Sequence, residues 1–146
     1  MNVLSLSPVE VERLTSKFRV GDGCWEWTAG RSIYGYGRFN LRHHNRLAHA
    51  VVYEWLAGPV PEGLVLDHLC RNRGCVRPDH LEAVTNQTNI LRGVGVAAQY
   101  AGRTHCSHGH EFTPENTGFC EAWGKRARVC LTCRKIRNTA QKSRRR

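Results

Sequence analysis

Hydrophobic positions in this chain switch between helical and alternating periods, and the switches mark its elements. Val11, Leu14 and Phe18 share one helical face behind Ser7-Pro8-Val9-Glu10, a capping box with proline in the first turn. The pattern predicts a short amphipathic helix over about 8–18. Residues 24–47 then alternate aromatic and polar side chains between glycines, which predicts antiparallel strands. Ala48, Val51, Val52, Trp55 and Leu56 return to helical spacing, and Gly58-Pro59 closes that run. Leu64-Val65-Leu66 forms an apolar strand leading into Asp67-His68, and His80 to Val84 alternates as a second strand. Thr85 or Asn86 caps a short helix that reaches about Arg92 and stops at Gly93. This strand, loop, strand, helix order puts His68 on a strand and Asn89 on the helix packed over it. The fold class expected is α+β with a small antiparallel sheet. Residues 1–93 form the main domain, 94–104 a linker, and 105–146 a small lobe with a basic tail, Lys142-Ser143-Arg144-Arg145-Arg146.

Composition narrows the partners. With 22 basic against 12 acidic residues the formal charge is +10. Two zinc sites with three thiolates and one imidazole each would lower it to roughly +8. Such a surplus favours a polyanion, because each phosphate neutralised releases counterions. Residues 1–18 hold no apolar run long enough for a signal peptide before Glu10 and Arg13 interrupt it. No stretch reaches the length of a membrane-spanning helix. The expectation is therefore a cytoplasmic chain without a membrane partner, whose short-spaced cysteines point to metal rather than disulfides.

Two chemistries overlap between residues 67 and 89. Cys70, Cys75 and His80, each five apart, have the side chains and compact spacing of soft zinc ligands. Asp67 and Asn89 offer hard oxygen ligands, and His68 an imidazole base, the set required for metal-assisted phosphodiester cleavage. A zinc module that only binds has no use for the second set. Further on, Cys130-x2-Cys133 reads as a zinc knuckle whose other half is Cys106-x3-His110, with His105 and His108 as competitors for the histidine position. Cys120 fits neither set.

His68, His80 and Asn89, spaced 12 and nine residues apart within DHLCRNRGCVRPDHLEAVTNQTNILRG, resemble the HNH (His-Me finger, ββα-metal) endonucleases. The likeness is to the zinc-stapled phage and homing-endonuclease branch, and it extends over roughly 20–135. Upstream, Gly23-Cys24-Trp25-Glu26-Trp27, Gly35-Tyr36-Gly37-Arg38-Phe39 and Ala48-His49 are similar to that branch. Downstream, the Cys-x3-His and Cys-x2-Cys pair resembles its second zinc element, and Gly109-His110 favours His110 as the ligand. The chain departs from the motif's name in having His80 where many members have asparagine, and it reads His49-Ala50 where the family more often has His-Arg.

The resemblance implies a metal-dependent nuclease acting on double-stranded DNA and leaving 5′-phosphate and 3′-hydroxyl ends. His68 would be the general base, and Asp67 and Asn89 the ligands of one catalytic Mg2+ or Mn2+. Cys24, the sole cysteine before Cys70, would complete one structural zinc site with Cys70, Cys75 and His80. Cys106, His110, Cys130 and Cys133 would form the other. Arg38 either meets charge at the transition state or lies along DNA backbone or solvent. Alternation places Arg38, Asn40 and Arg42 on one face of a ribbon suited to a groove, while Arg126, Arg128, Arg134, Lys135, Arg137 and the tail suit phosphates. One active site per chain predicts a nick from a monomer; cutting both strands takes a homodimer or two encounters. The rivals are a zinc-ribbon protein that binds nucleic acid without cleaving it and a structural part of a phage packaging machine. The first of these gives no work to Asp67, His68 and Asn89, and the second would merely retain the fold.

Overall fold

The Ser7 hydroxyl accepts from the Glu10 N–H while the Glu10 carboxylate accepts from the Ser7 N–H, so the first helix, α1 (Pro8–Thr15), starts with a complete capping box. This computed structural model describes residues 3–122 and 124–144; Arg145 and Arg146 of the basic tail lie outside them. α1 ends one turn before the expected residue 18. Phe18 instead opens β1 (Phe18–Arg19), pairs with Trp27 of β2 (Glu26–Trp27), and stacks on Trp25 at 5.8 Å. Cross-strand pairing and aromatic stacking outweigh the helical spacing of that one position.

A hairpin follows, β3 (Arg38–Leu41) against β4 (His44–Leu47), and runs directly into α2 (Ala48–Leu56). Phe39 and Leu41 point inward from β3, and Ala48, Val51 and Val52 face them from α2. Leu14, Trp27 and Val76 complete this core, with Trp27 edge-on to Phe39 at 6.1 Å. The two-residue loop Arg42-His43 has φ of 50° and 67°, the left-handed pair that a tight hairpin requires. Arg42 is held there by Glu10 at 3.0 Å and by the Ser5 carbonyl at 2.8 Å. It therefore does not continue the strand face of Arg38 and Asn40, and its guanidinium is committed within the protein.

β5 (Leu64–His68) pairs antiparallel with β6 (Leu81–Thr85), and α3 (Asn86–Arg92) packs on both. Thr85 is the cap, accepting from the Thr88 N–H. His80 lies not on the strand but at the end of a 3-10 turn, Pro78–His80, whose proline cannot continue a ladder. The strands form four separate two-stranded sheets among the described residues rather than one small sheet.

The chain divides into two units, 1–93 and 94–146. In the second, Val96–Gly102 forms a helix, α4, where a linker was expected. Ala97, Ala98 and Gln99 are strong helix formers, and this outweighs the flanking glycines. β7 (Thr117–Ala122) and β8 (Lys125–Cys130) make the last hairpin, and α5 (Leu131–Ser143) begins on the Cys130 cap. No helix among the described residues is long and apolar enough to cross a membrane.

Candidate functional site

The loop between β5 and β6 folds back on the N-terminal strands. Glu26 bridges to Cys75, the Trp27 N–H donates to the Gly74 carbonyl, and the Val76 N–H donates to the Trp25 carbonyl. These bonds carry Cys24 to the hairpin. Cys24, Cys70, Cys75 and His80 then offer ligand atoms that all lie within 4.8 Å of one another. His80 Nδ1 is 3.6 Å from both the Cys24 and Cys75 sulfurs. Zn–S bonds of about 2.3 Å and a Zn–N bond of about 2.0 Å give a tetrahedron with S···N edges of about 3.5 Å. The donors fit zinc in type and in spacing. Burial, first, pushes the Cys75 thiol up to about 12, so a bound cation must displace its proton.

In the second unit Cys106, His110, Cys130 and Cys133 converge in the same way. Cys106 Sγ is 3.5 Å from His110 Nδ1 and 3.7 Å from Cys133 Sγ, which again matches tetrahedral edges. The Cys133 N–H donates to Cys130 Sγ, the first cause holding that thiol below its ordinary range. Of the competing histidines, His108 brings its ring to the Cys133 sulfur, at 3.6 Å, while its backbone N–H donates to Cys106 Sγ, and His105 is occupied with Thr104. Both clusters could hold zinc with all four positions filled by protein. Cys120 sits on β7 opposite Ala127, outside either cluster.

Asp67 and His68 end β5, and both are buried. Asp67 Oδ1 accepts from Arg71 at 2.7 Å, while Oδ2 has no hydrogen-bond partner and lies 3.6 Å from the Arg92 guanidinium. His68 Nε2 sits 3.1 Å from the Cys75 carbonyl. A carbonyl only accepts, so Nε2 carries the proton and Nδ1 becomes the basic atom of the ring. Burial, first, lowers the His68 pKa, against the opposing pull of the Cys75 carbonyl and Asp67. The imidazole is thus neutral and oriented at neutral pH.

Asn89 of α3 lines a cleft of about 340 Å³ with Tyr36, Leu47, His49 and Leu66. His68 lies behind this lining, its ring 4.6 Å from His49 and 5.8 Å from Tyr36. Arg38 is exposed and pairs across its hairpin with Leu47; directly opposite residues share a face, so Arg38 stands on the face that edges the cleft. Its guanidinium makes no ion pair with Asp67 and no hydrogen bond with His68. Tyr36 and His49 were not read as site residues from sequence. His49 sits in an apolar helix pattern that suits a core position equally well, and only the fold puts it against His68.

Residues 46–91 match the family model for HNH endonucleases. The resemblance read from the motif is therefore borne out over the hairpin, α3 and the helix before them. Protein 7.7 of Escherichia phage T7 is 38% identical over 68 residues, 47% of this chain and 52% of that protein. The uncharacterized gene 5.3 protein of Enterobacteria phage T3 is 32% identical over 71 residues, 49% of this chain and 64% of its own length. Protein 2.8 of phage T7 is 27% identical over 92 residues. The chain thus spans between about half and two thirds of the length of the curated relatives it matches. No solved structure matches it.

Proposed function

We propose that the first unit is a ββα-metal endonuclease that hydrolyses phosphodiester bonds in double-stranded DNA. The observation that carries this reading is the His68 Nε2 contact with the Cys75 carbonyl, 3.1 Å long and buried, which leaves Nδ1 as an oriented neutral base. His68 takes the proton of the attacking water. Asp67, through Oδ2, which accepts no hydrogen bond, and Asn89 from α3 are the ligands for one divalent cation, Mg2+ or Mn2+. Bound there, such a cation would neutralise charge on the scissile phosphate and on the departing 3′ oxygen. Arg38 at the cleft edge holds a neighbouring phosphate. The two Cys3His clusters are structural zinc sites, since neither keeps a position open for water or substrate. With one active site the monomer nicks, and relatives encoded by phages support a nuclease acting in the cytoplasm of an infected cell.

One observation favours the non-catalytic reading instead. Arg71 and Arg92 flank Asp67 and give its carboxylate a structural use as an ion-pair centre. Cleavage of supercoiled plasmid by wild type and His68→Ala, each checked for two bound zinc ions, separates the readings. Nicking that requires Mg2+ or Mn2+ and disappears in the variant supports the nuclease. Zinc-loaded protein that binds several DNAs and leaves all of them intact refutes it.

A further inference from the structure

Charge is divided very unevenly between the two units. Each holds 11 of the 22 lysines and arginines, but nine of the 12 acidic residues fall in 1–93 and three in 94–146. The first unit therefore has a formal charge of +2 (11 against nine) and the second +8 (11 against three). Electrostatic affinity for a polyanion thus resides in the second unit, whereas Asp67 and His68 belong to the first.

That unit also stacks arginine on aromatic rings three times. Arg103 lies 4.0 Å over Tyr100, Arg128 lies 4.2 Å over Phe112, and Arg126 lies 4.0 Å over Phe119. The pairs form a row. Phe119 is the direct cross-strand partner of Arg128, and residues 126 and 128 share one side of their strand, so all three side chains occupy one hairpin face. Arg128 then donates to the Tyr100 and Arg103 carbonyls at 2.8 and 2.9 Å, tying that face to the end of α4. Tyr100, Arg103, Phe112 and Arg128 line a cleft of about 620 Å³ that also takes in the three cysteines of the second zinc cluster, joined by Arg134 and Arg137 from α5. Tyr100 and Phe119 remain more than half exposed, at 56% and 52%.

We propose that this row is a binding site for unpaired DNA: bases stack on the arginine–aromatic pairs while Arg134 and Arg137 hold the phosphates. Phosphate contacts alone would need only the charge. Exposed rings and guanidinium planes offer π-faces, which stacked bases inside a duplex do not leave accessible and single strands do. The second unit would hold a melted or frayed strand. This proposal rests on the nuclease reading only for the choice of DNA over RNA.

The test is fluorescence anisotropy of zinc-loaded, full-length His68→Ala protein without divalent cation, using labelled oligothymidine, a duplex of equal length and the corresponding RNA strand. The single DNA strand is expected to bind tightest. Adding Tyr100→Ala should weaken single-strand binding roughly tenfold and leave the duplex unchanged. Arg134→Ala should weaken both DNAs and reduce the salt slope by about one. Zinc content and circular dichroism check each fold, and Phe119→Ala replaces Tyr100→Ala if the latter loses metal. Equal or tighter duplex binding, tighter RNA binding, or indifference to both aromatic substitutions overturns the proposal. Because cleavage is not read, failure of the plasmid assay leaves this result unaffected, and the reverse also holds.

Discussion

His49→Gln tests whether the side chains around His68 are as dry as the structure makes them. His49 is 4% exposed, its Nδ1 has no hydrogen-bond partner, and its ring meets His68 and Tyr36. Burial, and second the neighbouring His68, bring its pKa from 6.5 down to about 3. In the unfolded chain the same imidazole titrates near its ordinary value, so on acidification the unfolded state takes up the proton first. The stability at stake is therefore full above 6.5 and is lost as the pH falls from there toward 3. At about pH 5 the loss amounts to about 2 kcal/mol, and at about pH 7.5 it is negligible. Urea unfolding of zinc-saturated protein, followed by tryptophan fluorescence, reads mainly the first unit, since Trp25, Trp27 and Trp55 lie there. Glutamine does not titrate, so the gap between wild type and variant should shrink by about 2 kcal/mol between those two pH values. Acid effects common to both proteins cancel in that difference. A gap that stays constant with pH would show that His49 is hydrated in the native state, and the argument for a dry site would fail.

Other substitutions probe separate parts of the design. Gly37→Ala would place a Cβ 2.7 Å from the buried Trp27 ring and 3.0 Å from Ala48, so a loss of roughly 1–3 kcal/mol is expected in the same urea assay. At Gly74 the three atoms nearest an added Cβ all belong to the Arg31 guanidinium, the end of an exposed side chain that donates to the Trp27 carbonyl, so Gly74→Ala should cost less than about 1 kcal/mol. Asp67→Asn keeps the shape of the side chain but removes the charge between Arg71 and Arg92. It should retain two zinc ions by elemental analysis and lose plasmid nicking; nicking at the wild-type rate would remove Asp67 from the proposed cation site.

Much of the first unit was legible in the sequence because its signals are local. The capping box at Ser7, the α2 periodicity and the Thr85 cap each depend on residues within one or two turns. The failures share a different cause. Phe18 was assigned by helical spacing, yet its partner Trp27 lies across a loop, and the spacing carries no trace of that pairing. Arg42 was assigned by alternation, but a two-residue turn took it off the strand and Glu10 captured it. The metal ligands were readable for a chemical reason: few residue types bind zinc, so their identity and spacing restrict the choices before any geometry is known. His49 had no such signature, since a histidine within an apolar helix looks the same whether it packs against a leucine or against a base. The charge division between the units was present in the composition, but it became visible only once the boundary at 93 was known.

Cys75 joins the first zinc cluster to the proposed base. Its sulfur belongs to the cluster and its carbonyl receives His68 Nε2, so one residue fixes both. Trp27 and Trp25 hold its flanks through backbone hydrogen bonds, and Cys24 on the same N-terminal segment adds a coordinate anchor when zinc is bound. Loss of this zinc should therefore release the carbonyl that sets the imidazole tautomer, even where the rest of the core survives. Cys70→Ser, which removes one ligand without touching Cys75, is expected to lower zinc content from two to one and to abolish nicking in excess Mg2+. Cys133→Ser removes a ligand of the other cluster and should also leave one zinc, yet preserve nicking of plasmid at low ionic strength, because that cluster's four ligands belong to the second unit and His68 to the first. Equal loss of activity in the two variants, with DNA binding retained by Cys133→Ser, would mean that zinc acts only by keeping the chain folded. Loss confined to Cys70→Ser would identify the first zinc as the element that aims the base.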